Sequence, residues 1–88
     1  MKREVIIGER YRHCGVSNIE YIVDNIVIDA TGYEETGSLG KAVIYRQVVA
    51  GIYPVGTIYS RSVEDFLGQT VCEGRLVNKF ELVSERIL

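Results

Sequence analysis

Eighty-eight residues, 47% of them hydrophobic and with a net charge of −2, make one domain spanning residues 1–88, too short to enclose a second core. A pI near 5.3 excludes the strongly basic surface that neutralises the phosphates of long nucleic acid, and no window approaches the roughly eighteen apolar residues of a membrane-crossing helix. So much apolar surface on so small a body cannot all be hidden inside, and a homo-oligomer is expected.

The opening "MKREVIIGER" sets only three apolar residues between charges, which is not the pattern of a secretion signal. A cytoplasmic protein is expected, and with it reduced thiols at Cys14 and Cys72, a disulfide being the lesser alternative. Nine glycines punctuate the chain as turn marks punctuate an all-β domain, and no stretch keeps a helical apolar period for three turns. β-branched residues and tyrosines fill the intervals. Strands are predicted at 9–14, 19–30, 41–50, 56–60, 69–73 and 76–83.

In the second strand Tyr21 and Val23 share one face while Ile26 and Ile28 share the other. A β-bulge at Asp24-Asn25 would bring the apolar set back to one side. The segment "ATGYEETGSLG" that follows reads as an exposed hairpin loop. Within it, "TGSLGK" fails as a phosphate loop, because Glu35 stands where the first glycine belongs and Ala42 replaces the magnesium-binding hydroxyl. In "AGIYPVGTIY", Pro54 cannot donate to a ladder, so an edge or a turn is expected there, exposing an apolar patch at residues 52–55 or filling the core with it. "SVEDFLG" is a short helical turn: Ser62 caps it, Glu64 and Asp65 suit the positive end of its dipole, and Gly68 ends it, with Phe66 and Leu67 plugging the barrel. "CEGR" reads as a tight turn. In "LVNKFELV", Leu76, Asn78, Phe80 and Leu82 alternate with Val77, Lys79, Glu81 and Val83. Five or six antiparallel strands with one short helical turn predict an all-β, small SH3-like barrel.

The candidate binding residues are rings beside guanidinium groups. Tyr59 and Arg61 share a strand face, as do Tyr11 and His13, whereas Tyr45 and Arg46 point opposite ways. Arg12, Arg46 and Arg61 could hold phosphate oxygens while Tyr11, Tyr45 or Tyr59 stack on a base. His13 could donate to a phosphate or exchange a proton near neutrality. The structural alternative makes the tyrosines barrel wall and pairs the arginines with Asp24, Glu64 or Asp65. No paired cysteine spacing suggests a metal, and no nucleophile–base–orienter set suggests catalysis.

The order "YRH" at 11–13, "YIV" at 21–23, "AVIYR" at 42–46, "IYSRSVEDFL" at 58–67 and "GRLVNKF" at 74–80 resembles an uncharacterised family of small bacterial and phage SH3-like domains. Its pattern runs YRH…YxV…VVYR…VRPLxxFL…RF. Ser62 stands where that pattern has proline, and the first long loop departs from it. The resemblance implies a compact SH3-like fold and brings no established activity. By analogy of class with small phage proteins that sequester a host signal, the expected function is a non-enzymatic, homo-oligomeric sponge. Its guest would be a small anionic, nucleotide-derived ligand of cyclic-nucleotide or ADP-ribose type, taken without a cofactor, as in phage anti-defence. The alternative is an adaptor whose groove or edge strand takes a protein segment; a small hydrolase ranks last.

Overall fold

The computed structural model describes residues 4–15 and 19–83. Residues 1–3, on which the reading of the N-terminus partly rests, lie outside the described residues. The elements in chain order are β1 (Arg10–His13), β2 (Glu20–Asp29), α1 (Tyr33–Thr36), β3 (Gly40–Gln47), β4 (Ile58–Ser62), α2 (Val63–Phe66), β5 (Gln69–Cys72), β6 (Arg75–Asn78) and β7 (Phe80–Leu82). The fold is a small all-β domain, as the glycine-spaced pattern predicts. No helix among the described residues is long and apolar enough to cross a membrane.

β1 to β4 meander antiparallel, and β7 returns to pair with β1, giving a five-stranded sheet in the order β4-β3-β2-β1-β7. The sheet curls on itself. Arg61 of edge strand β4 lies 5.1 Å over the ring of Phe80, which belongs to the opposite edge, β7. This is the strand order of an SH3-like barrel left open between its edges. β5 and β6 form a separate two-stranded hairpin.

The bulge falls where the alternation predicts it. Val23 pairs with Tyr45 and Asn25 with Ile44, leaving Asp24 as the extra residue. Ile26 then opposes Val43, so Tyr21, Val23 and Ile26 share the inner face. On that face Val23, Val43, Phe66 and Phe80 are almost wholly buried, and Tyr11, Tyr21 and Tyr45 surround them. Phe66 stacks on Phe80 with ring centroids 4.1 Å apart and meets Tyr11 and Tyr45 edge-on. α2 thus plugs the barrel. Ser62 caps it as predicted, its hydroxyl accepting the Asp65 N–H at 3.0 Å.

Three expectations are corrected. The segment 76–83 is not one strand: it breaks at Lys79, whose N–H donates to the Gly68 carbonyl and whose own carbonyl accepts from Cys14. Leu76 therefore stands exposed on the hairpin while Phe80 enters the core. The loop after β2 is not featureless; α1 turns there between Gly32 (φ 79°) and Gly37 (φ 74°), both left-handed positions that favour glycine. Two short helical turns therefore occur among the described residues, rather than one. Finally, Cys14 and Cys72 are not free thiols: they are joined in a disulfide, their Cα atoms 6.5 Å apart, within the span such a bridge requires. A separation of 58 residues hid a pairing that the fold creates by laying the hairpin beside the end of β1.

Candidate functional site: a tyrosine cleft beside a free strand edge

The site grows from one buried amide. Gln47, the last residue of β3, is only 2% exposed, the sole buried polar residue among those described. Its Nε2 donates to the carbonyls of Val49 at 3.0 Å and Tyr53 at 2.7 Å. Its Oε1 accepts the Tyr59 hydroxyl at 2.5 Å, while its backbone bonds to Thr57 and Gly56. One side chain thereby folds the whole β3–β4 connection back over the sheet. Gly51 makes that approach possible, since a Cβ there would meet Ile19 Cδ1 at 2.5 Å.

Between this connection and the inner face lies a cleft of about 260 Å³ walled by Ile19, Tyr21, Gln47, Ile52, Tyr53 and Tyr59. Its surface is almost wholly apolar. Tyr59 is held in place from two sides, stacked on Tyr45 at 5.3 Å and edge-on to Tyr21 at 5.6 Å. At the rim Ile52 is 97% exposed and Tyr53 59% exposed. Pro54 makes the predicted turn, its carbonyl accepting from both Thr57 N–H and Oγ1. Burial raises the Tyr21, Tyr45 and Tyr59 phenols above their ordinary pKa, so all three are neutral at pH 7. Along one flank runs β4, an edge of the five-stranded sheet, where every second residue turns its N–H and C=O away from β3.

The predicted site residues divide between two faces. Tyr11, His13, Tyr45, Tyr59 and Arg61 lie on the inner face. Arg12 and Arg46 lie on the outer one, because alternation opposes Arg12 to Glu20 and Arg46 to Ile22. The three guanidinium groups therefore do not converge. Arg12, together with Arg10, pairs with Glu20 at 3.0 Å, and Arg46 pairs with Asp24 at 3.0 Å. Tyr11 and Tyr45 are buried as core rings rather than presented for stacking. Of the seven, only Tyr59 lines the cleft.

Arg61 belongs to a polar cluster next to the core. Its Nε donates to the Tyr45 hydroxyl at 2.8 Å and its Nη1 to Asp65 Oδ2 at 2.6 Å. Lys79 Nζ donates to the other Asp65 oxygen. The hydrogen bonds from Lys79 and Arg61 hold the Asp65 carboxyl below its usual pKa. Burial works against the Arg61 cation, but the bonds to Asp65 and Tyr45 outweigh it and raise its pKa. His13 packs its ring edge-on against Phe80 at 5.0 Å and accepts the Gly15 N–H on Nδ1. Burial, then the Arg61 and Lys79 charges, lower its pKa, which keeps it a neutral acceptor.

Gln47 and Lys79, the two residues that organise these arrangements, gave no signal in the sequence. Each stands beside another polar residue, Arg46 or Asn78, within a strand-like stretch, and nothing local distinguishes it from an outward-facing one. Neither cysteine is available as a thiol nucleophile, both being bonded, and no group of three metal-ligating side chains occurs among the described residues. No protein-family model, curated protein or solved structure matches this chain.

Proposed function

We propose that this chain is a non-enzymatic binding module whose tyrosine cleft takes an apolar side chain from an extended protein segment laid along the free edge of β4. The observation that carries the reading is a preformed apolar cleft, walled in part by Tyr59 of β4, beside a strand edge that no other described strand pairs. Backbone hydrogen bonds to an edge supply affinity for any extended chain, and a pocket at every second residue supplies choice. At about 260 Å³ the cleft falls below the usual range for a whole small-molecule ligand, roughly 300–1,000 Å³. One proline ring or one branched aliphatic side chain suits it better.

A second reading keeps the anionic, nucleotide-derived guest. One observation favours it: Arg61 stands two residues beyond Tyr59 on the same face of β4, within reach of a phosphate whose base lay in the cleft. Against it, the Arg61 guanidinium is already bonded to Asp65 and Tyr45, and Arg12 and Arg46 are on the other side of the sheet.

Selection from a displayed library of random peptides tests the first reading. Sequences with a proline or aliphatic anchor are expected to be enriched. Their affinity is expected to fall about tenfold or more in Tyr53→Ala, whose side chain supplies a cleft wall and is half exposed, a truncation of the hot-spot kind. Enrichment that ignores Tyr53→Ala contradicts the cleft assignment. A melting-temperature panel of mononucleotides and cyclic nucleotides tests the second reading, since a guest that binds the folded state alone raises the midpoint.

A further inference from the structure

The β5–β6 hairpin is tied to the rest of the molecule at two ends. At its base Lys79 N–H bonds to the Gly68 carbonyl and Cys14 N–H to the Lys79 carbonyl. At its far end Cys72, the last residue of β5, is bridged to Cys14 at the end of β1. Between these ties the hairpin has little of its own to hold it. Two strands of four residues are marginal in water without a partner surface. Val71 and Leu76 oppose each other across the ladder and are each 65% exposed, so that pair buries no core. The turn costs stability as well. Glu73 has φ 53° and Gly74 φ 78°, the double-positive geometry that favours Asn-Gly or Asp-Gly and penalises glutamate at its first position.

Beside the bridge opens a cleft of about 240 Å³ lined by both cysteines, Val77 and the charged residues Glu73, Arg75 and Glu81. An attacking thiolate can therefore approach the sulfur atoms from outside.

From these features we infer that the Cys14–Cys72 bridge is a reducible clamp: a dithiol reductant opens it, and the β5–β6 hairpin is then released from the five-stranded sheet while the sheet itself persists. In the first step a reductant thiolate attacks one sulfur, forming a mixed disulfide and expelling the other cysteine as a thiolate. The reductant's second thiol then displaces the protein sulfur. The reductant leaves as a disulfide, and Cys14 and Cys72 together gain two electrons and two protons. A reducing compartment favours the released hairpin and an oxidising one the clamped hairpin.

The test is hydrogen–deuterium exchange on the full chain, with and without dithiothreitol, after thiol blocking at lysis and peptide mapping of the bridge. Mapping is expected to recover Cys14 linked to Cys72. Reduction is expected to speed exchange of the amides in 69–78 by about tenfold or more, leaving β2 and β3 protected, as for a locally unfolding unit. The double variant Cys14→Ser/Cys72→Ser is expected to reproduce the released pattern without reductant. Free thiols in the oxidised preparation, hairpin exchange indifferent to reduction, or protection lost throughout the sheet would each overturn the inference.

Discussion

Gln47 is the residue on which the cleft depends. Its amide satisfies the carbonyls of Val49 and Tyr53 and the hydroxyl of Tyr59. Gln47→Ala leaves those part-buried partners facing a small void, and a stranded group that is fully buried costs about 1–3 kcal/mol. The variant is expected to lose about 2–4 kcal/mol in urea unfolding and to expose Tyr59, read as faster exchange across 48–57. A loss under about 0.5 kcal/mol, as at an ordinary surface position, contradicts the role. Asp65 gives a pH test. Its folded-state pKa lies below the ordinary 3.8, so its contribution is present above pH 3.8 and fades as pH falls below that toward the folded value. Asp65→Asn is expected to melt below the parent at neutral pH, with the gap closing in the acid range. The side chain is 39% exposed, and solvent screening keeps the effect modest. At this scale the sequence was partly legible. The shared face of Tyr59 and Arg61 followed from alternation alone, and Asp24 and Asp65 were among the acids weighed as partners for the arginines, with no particular arginine matched to either. The bonds that occupy Gln47 and Lys79 were not legible, because they join residues 2 to 14 positions apart through turns that no strand period encodes.

Among the elements, the most readable were those with local chemistry. The bulge at Asp24 was forced by the break in apolar alternation, and α2 by a hydroxyl, two acids and a glycine in order. Ser62→Ala removes the acceptor for the Asp65 N–H and is expected to cost about 1 kcal/mol, the usual loss at an N-cap. An unchanged chemical-denaturation midpoint would contradict the capping assignment. The break at Lys79 was harder to see. Leu76 to Val83 carries no glycine or proline to mark a stop, and only the different destinations of β6 and β7 split it. Alternation reports which residues share a face within a strand, not which sheet the strand joins. α1 was missed for a related reason: Gly32 and Gly37 marked a loop, yet the four residues between two left-handed glycines also close one helical turn.

For the molecule as a whole, the open barrel order creates both features of the proposed site. An SH3-like meander that closed fully would leave no edge beside the cleft; here β4 and β7 are opposite edges of the sheet, with Arg61 reaching over the ring of Phe80. A homo-oligomer would find exposed apolar surface in the same place, since Ile52, Tyr53 and Val55 are all exposed beside the cleft. A second copy and a foreign segment would then compete for one face. The all-β class followed from glycine spacing. Convergence of three arginines did not follow from anything local, and the sheet's own two-sidedness sends Arg12 and Arg46 away from Arg61.

The most direct test is a nuclear magnetic resonance titration of the isotopically labelled chain with a library-selected peptide, following every backbone amide. The largest shifts are expected at Ile19, Tyr21, along 47–59 and at alternate amides of β4. Shifts centred instead on the outer face around Arg12, Glu20 and Arg46, with the cleft unmoved, would contradict the account.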